Sequence, residues 1–310
     1  MLQGKVLITG GAGTLGFNIL ARAQAEKWDS HFTIFSTDPV KHSRIKSIFP
    51  NVHSIVGDIR DATTLYNAMA GKDVVIHAAA VKEIPTGEWN AIDTYEINVG
   101  GSLNVANVAV SLGIPKVLGI STDKACHPAN NYGATKMIME KIFQEFARMP
   151  FSTKFHLVRY GNVIESSASV LEKWRDAARE FKPIEITDPA MTRFWLSPSQ
   201  AVDCALESLG LAPSTIFIPR MKSLEIGKMA EYVLGENYEV KRIPIRPGEK
   251  MHETLVTKEE APKTFTTAKG FILPPSTSEA FPYHLHSNDA YTSENAERLT
   301  KEEFMEMIDD

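Results

Sequence analysis

Two cysteines, Cys126 and Cys204, are all that the 310 residues contain. They are too few for a disulfide framework and show no metal-ligand spacing. They therefore read as buried bystander thiols in a reducing compartment, and no metal centre is expected. No apolar run is long enough to span a bilayer. Cations are not in excess: 33 Lys and Arg against 38 Asp and Glu give a net charge of −5 and a pI near 6.0. That excludes the broad basic field needed to hold nucleic acid or an anionic membrane, so an anionic ligand must rely on a few local cations. No targeting segment precedes the run Lys5-Val6-Leu7-Ile8-Thr9, which predicts a protein without a signal peptide, in the cytoplasm. Repeats and low-complexity tracts are absent as well.

The composition is 43% hydrophobic and 23% charged, globular in character, with enough length for a main domain and a smaller one. Short β-branched runs predict strands at Lys5–Thr9, His31–Ser36, Val52–Val56, Asp73–Ala78, Lys116–Thr122 and Phe155–Tyr160. Helical patterns separate most of them, as at Asn90–Leu112 and Tyr132–Arg148. This alternation predicts an α/β fold, a Rossmann-like doubly wound parallel sheet with ligands at the carboxyl ends of the strands.

After Asn162 the rhythm breaks. Helices are expected at Ala168–Phe181, Ser199–Gly210 and Ser223–Gly235, and extended segments at Ile184–Thr187 and Thr215–Ile218. The stretch Thr257–Asp289 is rich in Pro, Thr and Ser and reads as mostly irregular, and a capping box at Thr300–Glu303 predicts a last helix over Phe304–Ile308. The expected division is a dinucleotide-binding Rossmann domain over 1–163 and a smaller C-terminal substrate-binding domain over 164–310. Residues from about 193 to 220 are expected to return to the first.

Thr9-Gly10-Gly11-Ala12-Gly13-Thr14-Leu15-Gly16 follows the first strand and opens the first helix. Glycines there allow a tight turn, approach of backbone N–H groups to a pyrophosphate, and close helix–strand packing. Many tight turns carry glycines, so it is the strand–turn–helix context that points to a dinucleotide, with Gly10, Gly13, Thr14, Leu15 and Gly16 as its contacts. The second strand ends on Ser36, small and neutral, where NAD enzymes usually place an acid. Lys41, His42 and Arg44 follow and could meet a 2′-phosphate, which favours NADP; Asp38 is close enough to face a ribose, which leaves NAD possible. A solvated helix start is the plain alternative for Lys41–Arg44. Asp58 and Ile59 follow the third strand, with Asp58 placed to accept from an adenine amino group. Ala78, Ala79 and Ala80 follow the fourth and suit a backbone lying along a cofactor, or plain strand–helix packing.

The densest chemistry is Ser121-Thr122-Asp123-Lys124 at a strand end, followed by Tyr132 and Lys136 on the next helix. A phenol with a pKa near 10 is a poor base at neutral pH, and a lysine four residues later lies on the same helical face and lowers that value. Tyr-x-x-x-Lys alone is often a surface pair, and an Asp-Lys dipeptide alone is often a salt bridge. Here the glycine turn and Thr122 stand in register with both.

These motifs resemble the extended short-chain dehydrogenase/reductase superfamily, and more closely its inverting UDP-N-acetylglucosamine 4,6-dehydratases. The likeness is carried by His77–Lys82, Ser121–Ala125, Asn131–Lys136, Arg159–Val163, Met191–Trp195 and Ile245–Lys250, and runs to about residue 255. The resemblance implies that Tyr132, assisted by Thr122 and Lys136, takes the C4 hydroxyl proton of a UDP-sugar while a bound nicotinamide cofactor takes and later returns hydride. It implies Lys124 as base at C5, provided burial and neighbouring cations keep it neutral, and a protonated Asp123 as acid toward the departing C6 hydroxyl. Arginine forks suit a diphosphate, and Arg193 and Arg246 are the candidates. Lys82, Tyr160, Asn162 and Glu249 are further substrate contacts, with Glu249 orienting Arg246 or binding the ribose. His252 reads as a helix start, not a catalyst. A homo-oligomer is expected from the resemblance alone.

Two departures from the family pattern stand out. Glu165-Ser166-Ser167-Ala168-Ser169 replaces a Gly-Ser-Arg-Gly-Ser-like loop, and Glu83 stands where histidine is usual. Both leave the sugar open. The rival readings are a 4-epimerase or reductase on the same fold and a non-catalytic dinucleotide-binding protein.

Overall fold

The computed structural model describes residues 1–164, 170–235, 238–275, 284–285 and 288–309. The Glu165–Ser169 departure lies outside the described residues. The first half runs β1 (Gly4–Thr9), α1 (Thr14–Ala25), β2 (Ser30–Ser36), α2 (Pro39–Ile48), β3 (His53–Val56), α3 (Ala62–Met69), β4 (Val74–His77), α4 (Ile84–Trp89), α5 (Ala91–Tyr95), a π turn (Glu96–Gly100), α6 (Gly101–Ser111), β5 (Lys116–Thr122), a 3₁₀ turn (Asp123–Ala125), α7 (Asn131–Arg148) and β6 (Lys154–Tyr160). The second half continues with β7 (Asn162–Val163), α8 (Val170–Arg179), β8 (Ile184–Ile186), β9 (Thr192–Leu196), α9 (Pro198–Gly210), β10 (Ile216–Pro219), β11 (Lys222–Glu225), α10 (Ile226–Leu234), β12 (Val240–Arg242), β13 (Thr254–Val256), β14 (Phe265–Thr266), β15 (Gly270–Leu273), β16 (His284–Leu285), β17 (Tyr291–Thr292) and α11 (Lys301–Asp309).

The central sheet has the order β16-β14-β15-β10-β6-β5-β4-β1-β2-β3. Strands β1 to β6 and β10 pair in parallel, and β15 and β14 add antiparallel at one side. The order reverses between β1 and β4, which is where a doubly wound sheet opens its ligand crevice. A parallel sheet covered on both faces needs nearly continuous apolar strands. Val6, Leu7, Ile8, Ile34, Ile76, Leu118 and Val158 meet that demand, and all are fully buried. Helix α1 packs on α9, while α6 packs on both α3 and α7 as a second group.

Three expectations need correction. Asn90–Leu112 is not one regular helix, because Glu96–Gly100 forms a π turn between α5 and α6. Ser223–Glu225 belongs to a strand, where Ser223 pairs with Phe194 of β9, and the helix begins only at Ile226. Within Thr257–Asp289, Phe271 and Ile272 of β15 pair with Ile218 and Phe217 of β10, so the segment extends the main sheet. Its Pro, Thr and Ser content hid a short, fully buried Gly-Phe-Ile-Leu strand.

One buried charge joins the two halves. Arg159, on β6, donates to both oxygens of Glu140 on α7 (2.9 and 2.7 Å) and both of Glu260 (2.8 and 3.0 Å). It also donates to the Leu255 carbonyl of β13 (2.9 Å). Glu140 in turn accepts from the Ser121 hydroxyl at the end of β5. Removing one partner from a buried ion pair leaves the others uncompensated. Arg159→Met is therefore expected to cost about 3–5 kcal/mol in urea unfolding. Lys241→Ala, which breaks an exposed pair with Glu185, should cost less than about 1 kcal/mol.

Candidate active site

The turn between β1 and α1 is shaped for close backbone approach. Gly10 has φ +66°, and a Cβ there would sit 2.8 Å from the Ala79 nitrogen. At Gly16 a Cβ would lie 2.1 Å from the Gly11 carbonyl oxygen, so only glycine lets α1 start so near the turn. The start of α1 at Gly13, Thr14 and Leu15 has no side-chain cap and no acid in its first turn. By contrast, α2, α3, α7 and α9 are capped by Asp38, Asp61, Asn130 and Ser197. An uncapped helix N-terminus after a turn that packs on Ala78 and Ala79 fits a pyrophosphate.

Beyond that turn the residues expected along an adenosine are more occupied than the sequence suggests. Ser36 Oγ bonds His42 Nε2 at 2.7 Å. His42 is buried, and burial lowers its pKa, so it is not the cation that was expected. The Asp38 carboxylate accepts from the backbone of Val40 and Lys41 and lies 3.6 Å from the Lys41 ammonium. Asp58 is held at both oxygens by Arg60, and Ile59 is buried against Gly101.

At the end of β5 the reactive groups converge. Thr122 Oγ1 donates to Asp123 Oδ1 (2.9 Å), and Lys124 Nζ donates to the same oxygen (2.9 Å) and to Asn162 Oδ1 (3.2 Å). Asp123 Oδ2 is buried with no partner. Glu253, just ahead of β13, brings Oε1 to 3.6 Å from the Lys124 ammonium. Burial raises the Asp123 pKa, Lys124 opposes that rise and Glu253 adds to it. For Lys124, burial opposes the charge, yet Asp123 and Glu253 outweigh it and hold the ammonium above the ordinary lysine value. The expectation that cations keep this amine neutral is thus overturned, because its strongest neighbours are carboxylates.

The pairing of Tyr132 with Lys136 also differs from expectation. Burial pushes the phenol above its usual value, opposed by Lys124 and by a hydrogen bond with Thr122. Lys136 Nζ instead donates to Met139 Sδ at 3.0 Å, one turn further along α7. Burial brings its pKa down to about 7, against the pull of Glu140.

Asn98 was missed by the sequence reading. Its amide bonds Val81 N (2.8 Å), Val81 O (3.0 Å) and Thr135 Oγ1 (2.9 Å), clamping the loop after β4 to the helix that carries Tyr132. It sits in the π turn, a distortion frequent at functional sites. The pattern there looked like ordinary helix, and only the Gly100-Gly101 pair hinted otherwise. Glu253 was missed too, because no local motif links it to Lys124.

The substrate candidates divide. Asn162, Arg193, Arg246 and Glu249 line a cavity of about 250 Å³ with Trp174 and Met191. Arg193 is buried, donates to the Thr192 and Met251 carbonyls, and lies 4.0 Å from Glu249. Glu249 also accepts from the Arg246 backbone, while the Arg246 side chain is exposed. Tyr160 is buried at the end of β6, and burial raises its pKa. Lys82 and Glu83 are exposed beyond β4, away from this cavity. His252 does not start a helix: it bridges to Thr192, whose hydroxyl meets His252 Nδ1 at 2.8 Å. A second cavity of about 1150 Å³, between α9, α11 and Met1, touches none of the reactive residues.

Known proteins are similar to this chain. A family described as polysaccharide biosynthesis protein matches residues 6–275. A protein of Campylobacter jejuni named UDP-N-acetylglucosamine 4,6-dehydratase (inverting) is 35% identical over 283 residues, 89% of this chain and 84% of the relative. One of Rickettsia massiliae named UDP-glucose 4-epimerase is 32% identical over 322 residues, 98% of this chain and 94% of its own. Among solved structures, Pen from Bacillus thuringiensis superposes with a TM-score of 0.91 at 30% identity, covering 99% of this chain and 97% of that one.

Lys136 generates a test. Unfolded, its amine titrates at the ordinary lysine value of 10.5; folded, burial brings it down to about 7. Between those values the unfolded chain holds the extra proton, so stability rises with pH across that window and the cost of burial is full below it. Lys136→Met should therefore stabilise the fold at pH 7, by up to about 4 kcal/mol. The gain should shrink toward zero above pH 10, as read by urea unfolding at several pH values.

Proposed function

The chain belongs to the polysaccharide biosynthesis protein family, within the extended short-chain dehydrogenase/reductase superfamily, and from that we propose that it is an NADP-dependent nucleotide-sugar 4,6-dehydratase. Its proposed substrate is UDP-N-acetylglucosamine, with inversion at C5. The observation that carries the reading is the cluster at the end of β5, where an acid and an amine share one hydrogen-bonded site beside the Tyr132 phenol. A 4-epimerase or reductase needs the phenol and Thr122 but has no use for the acid–amine pair.

The residues suited to hold the cofactor are Gly10, Gly13, Thr14, Leu15 and Gly16, then Ala78–Ala80, Tyr132 and Lys136, with Asp58 and Ile59 along the adenosine. NADP is supported by neutral Ser36, by Lys41 nearby, and by the commitment of Asp38 to the α2 N-terminus. When bound, the cofactor supplies reversible hydride transfer, so no external reductant is consumed. Arg193 and Arg246 suit the diphosphate, and Tyr160, Asn162, Lys82 and Glu249 the sugar and ribose. Tyr132, hydrogen-bonded to Thr122, takes the C4 hydroxyl proton as its phenolate, its own proton having left to solvent beforehand. Asp123 gives its proton to the departing C6 oxygen, which leaves as water. Lys124 removes the C5 proton after passing its ammonium proton to the Glu253 carboxylate 3.6 Å away.

Incubation with UDP-N-acetylglucosamine and no added reductant should give a product lighter by one water in mass spectrometry. Lys124→Ala should abolish that product, and a variant near the wild-type rate would refute the base assignment. The Rickettsia relative favours a second reading, a 4-epimerase. An unchanged mass with a new NMR spectrum would establish it.

A further inference from the structure

Two buried carboxylates, Asp123 and Glu253, flank the Lys124 ammonium, whose side chain is 13% exposed. Lys124 alone cannot neutralise both, and a buried ionised carboxylate without a full set of partners is strongly disfavoured. The acid with no other cation beside it gains most from keeping a proton. Asp123 and Glu253 are not equivalent in this respect. Both hydrogen bonds that Asp123 receives, from Thr122 and Lys124, land on Oδ1, and Oδ2 has no partner. Glu253 Oε2 likewise has no hydrogen-bond partner, so the two acids differ in the cations around them and not in their unpartnered oxygens. A Cβ at Gly161 would lie 3.3 Å from Asp123 Oδ2, so the glycine lets the backbone pass close to that oxygen. Glu253 has cations on more than one side: Lys124 at 3.6 Å, Lys250 at 3.8 Å from Oε2, and the field of Arg193 on β9. The other titratable group facing the pair is Tyr132 on α7, while Thr122 and Asn162 contribute neutral hydrogen bonds.

We propose that Glu253 is a positioning residue for the elimination: it serves as the counter-charge of Lys124 and so leaves the proton on Asp123. Without it, the ammonium 2.9 Å away would hold Asp123 as a carboxylate, unable to donate. The directions of titration agree. Burial opposes charge on Glu253, but Lys124, Arg193 and Lys250 outweigh it and hold the carboxyl below its ordinary range, whereas burial and Glu253 hold Asp123 above. The use made of that proton rests on the dehydratase reading; its presence does not.

Infrared spectroscopy of the full chain carrying ¹³C-labelled aspartate tests this directly. At pH 7 the wild type should show the C=O stretch of one protonated aspartic acid, missing in Asp123→Asn. The band should vanish in Glu253→Gln and return in Glu253→Asp. Absence of the band from the wild type, or its persistence in Glu253→Gln, would overturn the proposal. In turnover, Glu253→Gln should lose about tenfold in kcat at neutral pH for each unit by which Asp123 becomes more acidic. It should recover as pH is lowered and keep its KM within about twofold. A merely structural role would depress the rate equally at every pH. A silent wild type that carries the band would sink the dehydratase reading alone, and an active dehydratase without the band would sink this one alone.

Discussion

The guanidinium of Arg159 is the point on which both halves of the molecule rest. It reaches from β6 to Glu140 on α7, to the Leu255 carbonyl of β13 and to Glu260. Buried ion pairs add little net stability over an apolar core, because desolvation consumes the Coulomb gain. What this one provides is registration. Through Glu140 it fixes Ser121 and the strand end that carries Thr122 and Asp123. Through Leu255 it fixes β13, two residues after Glu253. Glu253 reaches Lys124 across the junction of the halves because the same cation anchors both sides of that junction.

That anchoring sets up an uneven distribution of charge. The two lysines of the cluster stand in opposite environments. Lys136 lies against Met139 and the α7 core, where burial brings it close to neutrality. Lys124 lies between carboxylates and stays charged. Burial alone would push both downward; the difference comes from which acids share their pockets. Environments that drive similar groups apart in protonation mark acid–base chemistry more reliably than the presence of the groups themselves.

Much of this was readable from residue patterns, and the remainder failed for identifiable reasons. The six parallel strands and the glycine turn have local signatures, apolar runs and positive-φ glycine, which do not depend on distant residues. Thr122, Asp123, Lys124 and Tyr132 lie close in sequence and meet in space as expected. The errors concern partners. Lys136 was assigned to Tyr132 by helical spacing, but its long side chain reaches the next turn. His42 was one of three candidates for positive charge beside a solvated helix start, and its burial is not visible in sequence. Glu253 and Asn98 act through contacts far apart in sequence, which no local spacing encodes. The β15 strand was hidden by the polar residues around four buried ones.

The division of labour between the halves follows from these contacts. The first half alone provides a crevice, a phenol and an Asp-Lys pair, and in that state a lysine 2.9 Å from Asp123 would favour a plain salt bridge. The second half supplies Asn162, Arg193 and Glu253, which surround the same ammonium or its neighbour and remove the symmetry of that pair. An acid adjacent in sequence to its own counter-ion can stay an acid only if another carboxylate competes for the cation. Placing the competitor on the segment that also borders the arginine-lined cavity links the protonation of the reactive pair to the docking of β13 against β6. The chemistry of the cluster is therefore a property of the assembled chain, although Thr122, Asp123, Lys124 and Tyr132 all lie in its first half.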